Sequence, residues 1–336
     1  MGDAKGQLPI VVLPVGTDDE ALDACLAALD ASTPAGTRVW LADDACAGPR
    51  GYAVIERWMA RTRLKADYTR RQRGVGESAH LGQVLAACDG MDVAVLAPDA
   101  VPLPGWLERM ASCLHADGAI ATVTPWSNAG ETAAWPRIGE IGPMPAEPRR
   151  LSHAAAHMPA LMPELPTAVG HAVLLRGVAR AGGLDVDSYG SWYAALIDLC
   201  LRLAGLGWRN VLCDSAFVAR PGEGMPAEGD MDRLAVRWPD WHSRLAQFLM
   251  HDPLHGERQQ LARLLATLGP PELQGDLFVS SAQAVAPGAE TPVTDIFEVA
   301  TSESATHVDP VPDRGVNAVA ADSAHAVATG GQDSPE

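Results

Sequence analysis

Between residues 8 and 118 the chain alternates short apolar runs with longer stretches that are apolar on one face only. Short apolar runs bounded by turn signals are typical of buried strands, and apolar spacings of three and four residues are typical of amphipathic helices. The pattern predicts strands at residues 8–15, 37–41, 66–69 and 93–99, each followed by a helix. Strands that alternate with helices favour an α/β fold with a mostly parallel central sheet and helices on its faces.

Two of the predicted strands end on carboxylates. The run Val93–Asp99 ends at Asp99, just before Pro102, and the second strand is followed by Asp43 and Asp44. Ligands of open α/β sheets bind at the carboxyl ends of the strands. A carboxylate there can hold a divalent cation against a diphosphate, or it can simply cap a turn.

The second half of the chain is less regular. The sequence predicts strands at residues 120–123 and 169–175, a helix at residues 192–206, and two extended segments at residues 210–213 and 216–218. The proline-rich stretch 125–166 is predicted to be an irregular functional loop or lid. Residues 233–265 are predicted to be helical with breaks at Pro239 and Pro253, and the acidic stretch 281–336 is predicted to be a disordered tail.

The overall charge limits the partners. The chain has 25 basic and 42 acidic residues, a net charge of −17, which disfavours a nucleic acid or an anionic membrane as the main partner. No run of about 18 apolar residues is present, so we expect no transmembrane anchor. The six scattered cysteines and the absence of a signal-like amino terminus predict a cytoplasmic protein with reduced thiols.

Six blocks of sequence occur in an order that supports a resemblance to a known family, although no single block does so alone. They are Pro14 to Leu29, Ala42 to Cys46, Gln72 to Gly82, Leu96 to Leu107, Pro125 to Asn128, and Gly170 to Gly207. In this order the chain resembles the family 2 glycosyltransferases, which have the GT-A fold and transfer sugars from nucleotide-sugar donors with inversion. The resemblance implies a GT-A domain over residues 1–256, with a donor half at about 8–124 and an acceptor half at about 125–256. Residues 257–280 would then form a helical extension.

The resemblance also implies roles for individual residues. The expected nucleotide-binding residues are Asp43, Asp44, Gln72, Gly74 and Arg220. Asp99 would bind a divalent cation, Mn²⁺ or Mg²⁺, or the diphosphate itself. Asp198 is the candidate catalytic base, or else a helix residue stabilised by the helix dipole, and Asp185 is a substitute candidate for the base. The acceptor-binding residues would be Trp126, Asn128 and Trp192, although either tryptophan could instead pack in the core.

Three motif positions differ from the family pattern. Ala97 replaces the first acid of the metal-binding pair, Ala195 and Leu196 replace the acidic pair that contains the expected base, and Arg220 replaces a metal-binding histidine. An arginine at that position could neutralise the diphosphate without a metal, or it could be a surface residue beside a turn.

These changes leave two hypotheses. One is an active inverting glycosyltransferase that moves a sugar to a glycan or lipid-linked glycan in bacterial surface polysaccharide assembly. The other is a catalytically degraded GT-A domain that serves as a binding or scaffolding partner in a glycan-assembly complex. A nucleotidyltransferase is disfavoured, because no G-x-G-T-R-L-type loop follows the first strand.

Overall fold

The computed structural model describes residues 8–88 and 90–269. Its strands are β1 (Ile10–Pro14), β2 (Arg38–Asp43), β3 (Lys65–Arg70), β4 (Val93–Leu96), β5 (Val101–Pro102), β6 (Ile120–Trp126), β7 (Ala172–Leu175) and β8 (Arg209–Ala219). They form one mixed sheet in the order β3-β2-β1-β4-β7-β6-β8-β5. The pairings β1–β2, β1–β4, β2–β3 and β6–β8 are parallel, and those of β7 and β5 are antiparallel. The predicted α/β fold with a mostly parallel sheet is confirmed.

The helices of the described chain follow the predicted rhythm. They are α1 (Asp19–Ser32), α2 (Pro49–Met59), α3 (Glu77–Ala87), α4 (Trp106–Ala116), α5 (Pro148–Ala156), α6 (Trp192–Gly205), α7 (Asp230–Arg237), α8 (Trp241–His251) and α9 (His255–Thr267). The side chain of Asp18 caps α1 by accepting from the backbone N–H groups of Glu20 and Ala21. Gly207 follows α6 with φ +86°, a backbone conformation that favours glycine at a helix end. None of the described helices is long and apolar enough to cross a membrane.

Both faces of the sheet are covered. Along β1, Val11 and Leu13 pack in the cluster shared with α1, α2 and α4, whereas Ile10 and Val12 pack in the cluster shared with α3 and α6. Burial on both sides explains why β1 is continuously apolar instead of alternating. The polar carboxyl ends of the strands are therefore the places where the sheet can meet a ligand.

Two local predictions are wrong. The stretch 125–166 is not irregular throughout, since β6 continues to Trp126 and α5 begins at Pro148. Proline is compatible with the first turn of a helix, where its missing N–H has no partner in any case. The two extended segments predicted at 210–213 and 216–218 are one continuous strand, β8.

The carboxyl-terminal predictions are only partly covered by the structure. Helix α9 lies at the start of the predicted extension 257–280, and the Arg150 guanidinium of α5 donates to the carbonyl oxygens of Leu265 and Leu268. The predicted tail 281–336 lies outside the described residues.

Candidate active site

A narrow pocket lies beyond the carboxyl ends of β1 and β4. Its walls include Ala97, Glu131, Trp192, Tyr193, Arg220 and Glu223. Its cavity volume is about 50 Å³, whereas ligand pockets commonly enclose about 300–1,000 Å³. The cavity is therefore smaller than a typical site for a whole nucleotide sugar.

Asp99 and Arg220 form an ion pair at this pocket. The Arg220 Nε atom lies 2.7 Å from Asp99 Oδ1, and the two side chains are only 14% and 24% exposed. Asn128 fixes the Arg220 backbone, because its side-chain amide accepts from the Arg220 N–H at 2.9 Å and donates to the Arg220 carbonyl at 2.7 Å. A guanidinium is thus held on the one carboxylate that the metal-binding motif retains.

The residues around Asp99 do not form a divalent-cation site by themselves. Ala97 offers no side-chain ligand, and the Asp99 carboxylate is already paired with a cation. Within residues 8–88 and 90–269, no three His, Cys, Asp or Glu side chains are grouped so that they could hold a metal ion. Mg²⁺ is commonly held by one or two carboxylates together with substrate phosphates and waters, and the single carboxylate available here, Asp99, is already paired with Arg220.

Asp43 and Asp44 shape the turn after β2 and the glycine-rich segment. Asp43 is fully buried; its carboxylate accepts from the Cys46 N–H at 2.6 Å and from the Tyr68 hydroxyl at 2.7 Å. Asp44 accepts from the N–H groups of Val75 and Gly76 at 2.9–3.0 Å. The shortest hydrogen bonds of the two carboxylates are therefore accepted from backbone N–H groups and from the Tyr68 hydroxyl.

The glycine-rich segment needs glycine where it meets Asp44. A Cβ at Gly74 would lie 2.9 Å from the Asp44 carbonyl oxygen, and Gly76 has φ +98°. Gln72 is exposed on the same loop. The structure thus places Gly74 against Asp44, with Gln72 on the same loop as Gly74, and the role of Asp43, Asp44, Gln72 and Gly74 in binding a nucleotide stays a prediction.

Asp198 and Asp185 belong to a separate group of charges, which we name the paired cluster and which also contains Arg202 and Arg237. Asp198 is fully buried, and its carboxylate meets Arg202 Nε at 2.8 Å and Arg237 Nε at 3.2 Å. It also accepts from the Trp238 indole at 3.0 Å. Asp185 pairs with Arg237 on the other side. The structure does not place either carboxylate in the pocket with Asp99 and Arg220.

The pKa of Asp185 is consistent with this pairing. Burial alone would raise the pKa of the carboxyl, but hydrogen bonds from Arg237 and Ser188 outweigh burial and hold the pKa below its ordinary value. A carboxylate with a lowered pKa and a guanidinium partner is a poor proton acceptor at neutral pH.

The three predicted acceptor residues have different surroundings. Trp126 is fully buried, its indole N–H donates to the Asp214 carbonyl, and Arg258 stacks over its ring at 5.3 Å. Asn128 is occupied with the Arg220 backbone. Only Trp192 lines the pocket.

Sequence reasoning missed two acids of the pocket, Glu131 and Glu223, which we name the pocket acids. The Glu131 carboxylate lies 3.3 Å from the Tyr193 hydroxyl, and Glu223 accepts from the Glu131 N–H at 3.3 Å. Glu131 lies three positions after Asn128, and this closeness to the Ser127-Asn128 block is the one sequence feature that points to it as a site residue. Its neighbours Tyr193 and Glu223 come from distant parts of the chain, so their approach depends on the fold.

A buried histidine, His171, lies next to the pocket-lining residues Gly170 and Ala97 and near the Arg220 charge. His171 is 1% exposed, its Nε2 atom lies 3.1 Å from the Pro125 carbonyl, and its carbonyl oxygen accepts from the Ala97 N–H at 3.0 Å. Burial, and secondarily the nearby Arg220 charge, lower the pKa of His171 to about 3. The ring is therefore neutral and structural at physiological pH.

Solved structures with a similar fold include glycosyltransferases. GalNAc-T7 crystallised with UDP, GalNAc and Mn²⁺ aligns with a TM-score of 0.53 at 12% identity, over 77% of this chain and 55% of that chain. The mannosyltransferase PcManGT of Pyrobaculum calidifontis, in complex with GDP-Man and Mn²⁺, aligns at 0.47 and 15% identity over 79% and 76% of the two chains. TarS 1–349 of S. aureus with UDP-GlcNAc aligns at 0.46 and 13% identity over 76% and 71%. A search of curated protein sequences found no match.

The fold is of the GT-A type. A sequence model described as "Glycosyl transferase family 2" matches residues 10–179, half of the chain. The protein belongs to this family, and the membership supports glycosyl transfer from a nucleotide sugar as its chemistry.

Proposed function

We propose that the protein is an inverting glycosyltransferase that transfers a sugar from a nucleoside diphosphate sugar to a glycan acceptor without a metal ion. The observation that carries the proposal is the Arg220–Asp99 ion pair, held at the carboxyl end of β4 where the family pattern has metal ligands. The family membership supports the reaction class.

The guanidinium meets the main chemical demand of the reaction. As the bond between the sugar and the diphosphate breaks, negative charge develops on the leaving phosphate and must be stabilised. Arg220 can do this with donors whose planar geometry matches phosphate oxygens. Asp99 orients the side chain through Nε, which leaves the two terminal nitrogens for the diphosphate.

The nucleoside would lie on the other side of β1, near Asp43, Asp44, Gln72 and Gly74. The contacts of Asp44 with the Val75 and Gly76 N–H groups support this position, because they fix the glycine-rich loop beside the strand end. The acceptor would enter past Trp192, the predicted acceptor tryptophan that lines the pocket. We propose a glycan or lipid-linked glycan of a surface polysaccharide as the acceptor on the family resemblance.

The test is turnover of nucleotide sugars. The full chain is incubated in EDTA with a panel of UDP-, GDP-, TDP- and ADP-linked sugars, with and without oligosaccharide acceptors, and release of the nucleoside diphosphate is measured. We expect at least one donor to be turned over and Arg220→Gln to reduce that rate by roughly 10–100-fold. Failure of every donor to bind or react would contradict the proposal.

A binding domain without catalysis is the second candidate. It is favoured by one observation, the burial of Ala195 and Leu196 in α6 where the family carries its acidic pair. This candidate predicts that a nucleoside diphosphate binds but that no donor is turned over, even with acceptors present.

A further inference from the structure

The reaction needs a base, and the motif positions do not provide one. Ala195 and Leu196 have no acidic group and are buried in α6. Both oxygens of the Asp198 carboxylate accept hydrogen bonds, one from Arg202 and the other from Trp238. Asp185 forms an ion pair with Arg237. An active enzyme must therefore take its proton acceptor from another element.

Glu131 lies where such a base is needed. It shares the walls of the pocket with Arg220, and it comes from the loop after β6, not from α6. The Glu131 backbone is held at φ +48°, an unusual conformation for a residue other than glycine. Its carbonyl accepts from the N–H groups of Ala134 and Gly139, and its own N–H donates to Glu223. The direction of the side chain is thus set before any substrate binds.

The surroundings of Glu131 suit a proton acceptor at neutral pH. Burial, and next the nearby Glu223 carboxylate, raise the pKa of Glu131 to about 7, against the smaller effects of the Tyr193 hydroxyl and the Arg220 charge. A base whose pKa is near the working pH combines a useful ionised fraction with a strong pull on the proton. The titratable and charged groups lining the same pocket or pairing into it are Glu77 from α3, Asp99 after β4, Tyr193 from α6, and Arg220 and Glu223 after β8.

We infer that Glu131 is the general base of the transfer and replaces the missing acidic pair of α6. The Glu131 carboxylate takes the proton of the acceptor hydroxyl while the acceptor oxygen forms its bond to the anomeric carbon. The bond from that carbon to the diphosphate breaks, and its electron pair leaves with the diphosphate, whose charge Arg220 counters. Tyr193 is a positioning residue, because its hydroxyl holds the Glu131 carboxylate. The inference rests on the proposed function.

The experiment compares Glu131→Gln with a matched control, Glu140→Gln. Glu140 lies nearby in the chain, and its side chain is 54% exposed and paired with Arg137 at the surface. Donor turnover is followed by nucleoside diphosphate release from the nucleotide sugar that the wild type uses, and binding of the matching nucleoside diphosphate is followed by calorimetry. We expect Glu131→Gln to lower turnover by roughly 100-fold or more, with diphosphate affinity within twofold of the wild type, and Glu140→Gln to match the wild type.

The pH profile separates a base from a structural residue. Wild-type turnover should rise with pH around a midpoint near 7, whereas the residual turnover of Glu131→Gln should lack this step. Glu131→Asp keeps the carboxylate and should keep a pH-dependent step at a lower rate, which serves as the second variant if the glutamine variant is poorly folded.

Each outcome decides something. A folded Glu131→Gln protein with turnover within fivefold of the wild type, or with the wild-type pH step, would overturn the inference and leave the proposed function intact. Equal losses of diphosphate affinity and turnover in both Glu131 variants would assign the residue a structural role and also overturn it. A wild type that binds no nucleoside diphosphate would remove the proposed function itself.

Discussion

The two groups of acids that meet helix α6 have opposite electrostatic environments. In the paired cluster, Asp198 and Asp185 face the guanidinium groups of Arg202 and Arg237 at hydrogen-bond distance. The pocket acids approach each other instead, and the charge that offsets them, Arg220, is itself engaged with Asp99.

The difference separates a network that stabilises the fold from the acids that we propose to be reactive. Carboxylates with guanidinium partners stay ionised and hold elements together. Carboxylates that are buried near like charge keep a proton available at neutral pH, which is typical of functional sites. The motif residue that survives in the sequence, Asp198, holds Arg202 and Arg237 by ion pairs, whereas Glu131, outside the motif, has a raised pKa.

The largest predicted effect on ligand binding comes from removing the cation of the pocket. Arg220→Gln should weaken nucleoside diphosphate binding by roughly 10–100-fold, the effect of one or two charge-assisted hydrogen bonds. Arg220→Lys keeps the positive charge but loses the planar arrangement of guanidinium donors. Its affinity for the nucleoside diphosphate should therefore lie between those of the wild type and Arg220→Gln. Calorimetry measures both, and the exposed variant Arg57→Gln is the control. Unchanged affinity in Arg220→Gln would place the diphosphate elsewhere.

The next prediction concerns the paired cluster. Asp198→Asn should lower the free energy of unfolding by about 2–3 kcal/mol, because it leaves two guanidinium groups beside a neutral amide. Urea denaturation measures the loss, and Asp23→Asn, in an exposed pair with Arg57, should change stability by less than about 0.5 kcal/mol. The folded variant should retain donor turnover; loss of turnover with unchanged stability would instead support Asp198 as the base.

Much of the fold follows from local patterns, and the site follows only in part. Apolar runs and helix signals predict β1 to β4 with their helices. A strand that is buried on both sheet faces is continuously apolar, and this pattern is readily recognised in the sequence. The substitutions at Ala97 and Arg220 are visible because the surrounding blocks fix their positions. The Asp99–Arg220 contact, by contrast, joins residues 121 positions apart, and the role of Glu131 depends on a loop conformation and on Glu223.

Contact with the pocket, and not burial, separates the two predicted acceptor tryptophans. Trp126 and Trp192 are the same residue type in segments of similar resemblance, yet one is enclosed by Arg258 and Asp214 and the other lines the pocket. Nothing local to either tryptophan determines this. It depends on where β6 ends and where α6 begins.

The smallest predicted effect is a pH dependence of stability. The pKa of Glu131 is raised from 4.5 to about 7 in the folded protein, so its favourable contribution is fully present below pH 4.5 and is lost as the pH rises through 7. Between pH 4.5 and 7 the wild type should lose roughly 2 kcal/mol of stability relative to Glu131→Gln. Urea denaturation of both proteins at pH 4.5, 6 and 8 measures it. A difference that stays constant across these pH values would show that Glu131 titrates normally.

The central claim is that a guanidinium at this pocket replaces the metal ion, and one titration tests it most directly. The nucleoside diphosphate that the protein binds is titrated into the wild type by calorimetry, once in EDTA and once in Mn²⁺. We predict the same affinity within about threefold in both, because Arg220 supplies the positive charge. Binding that occurs only with Mn²⁺ would contradict the account.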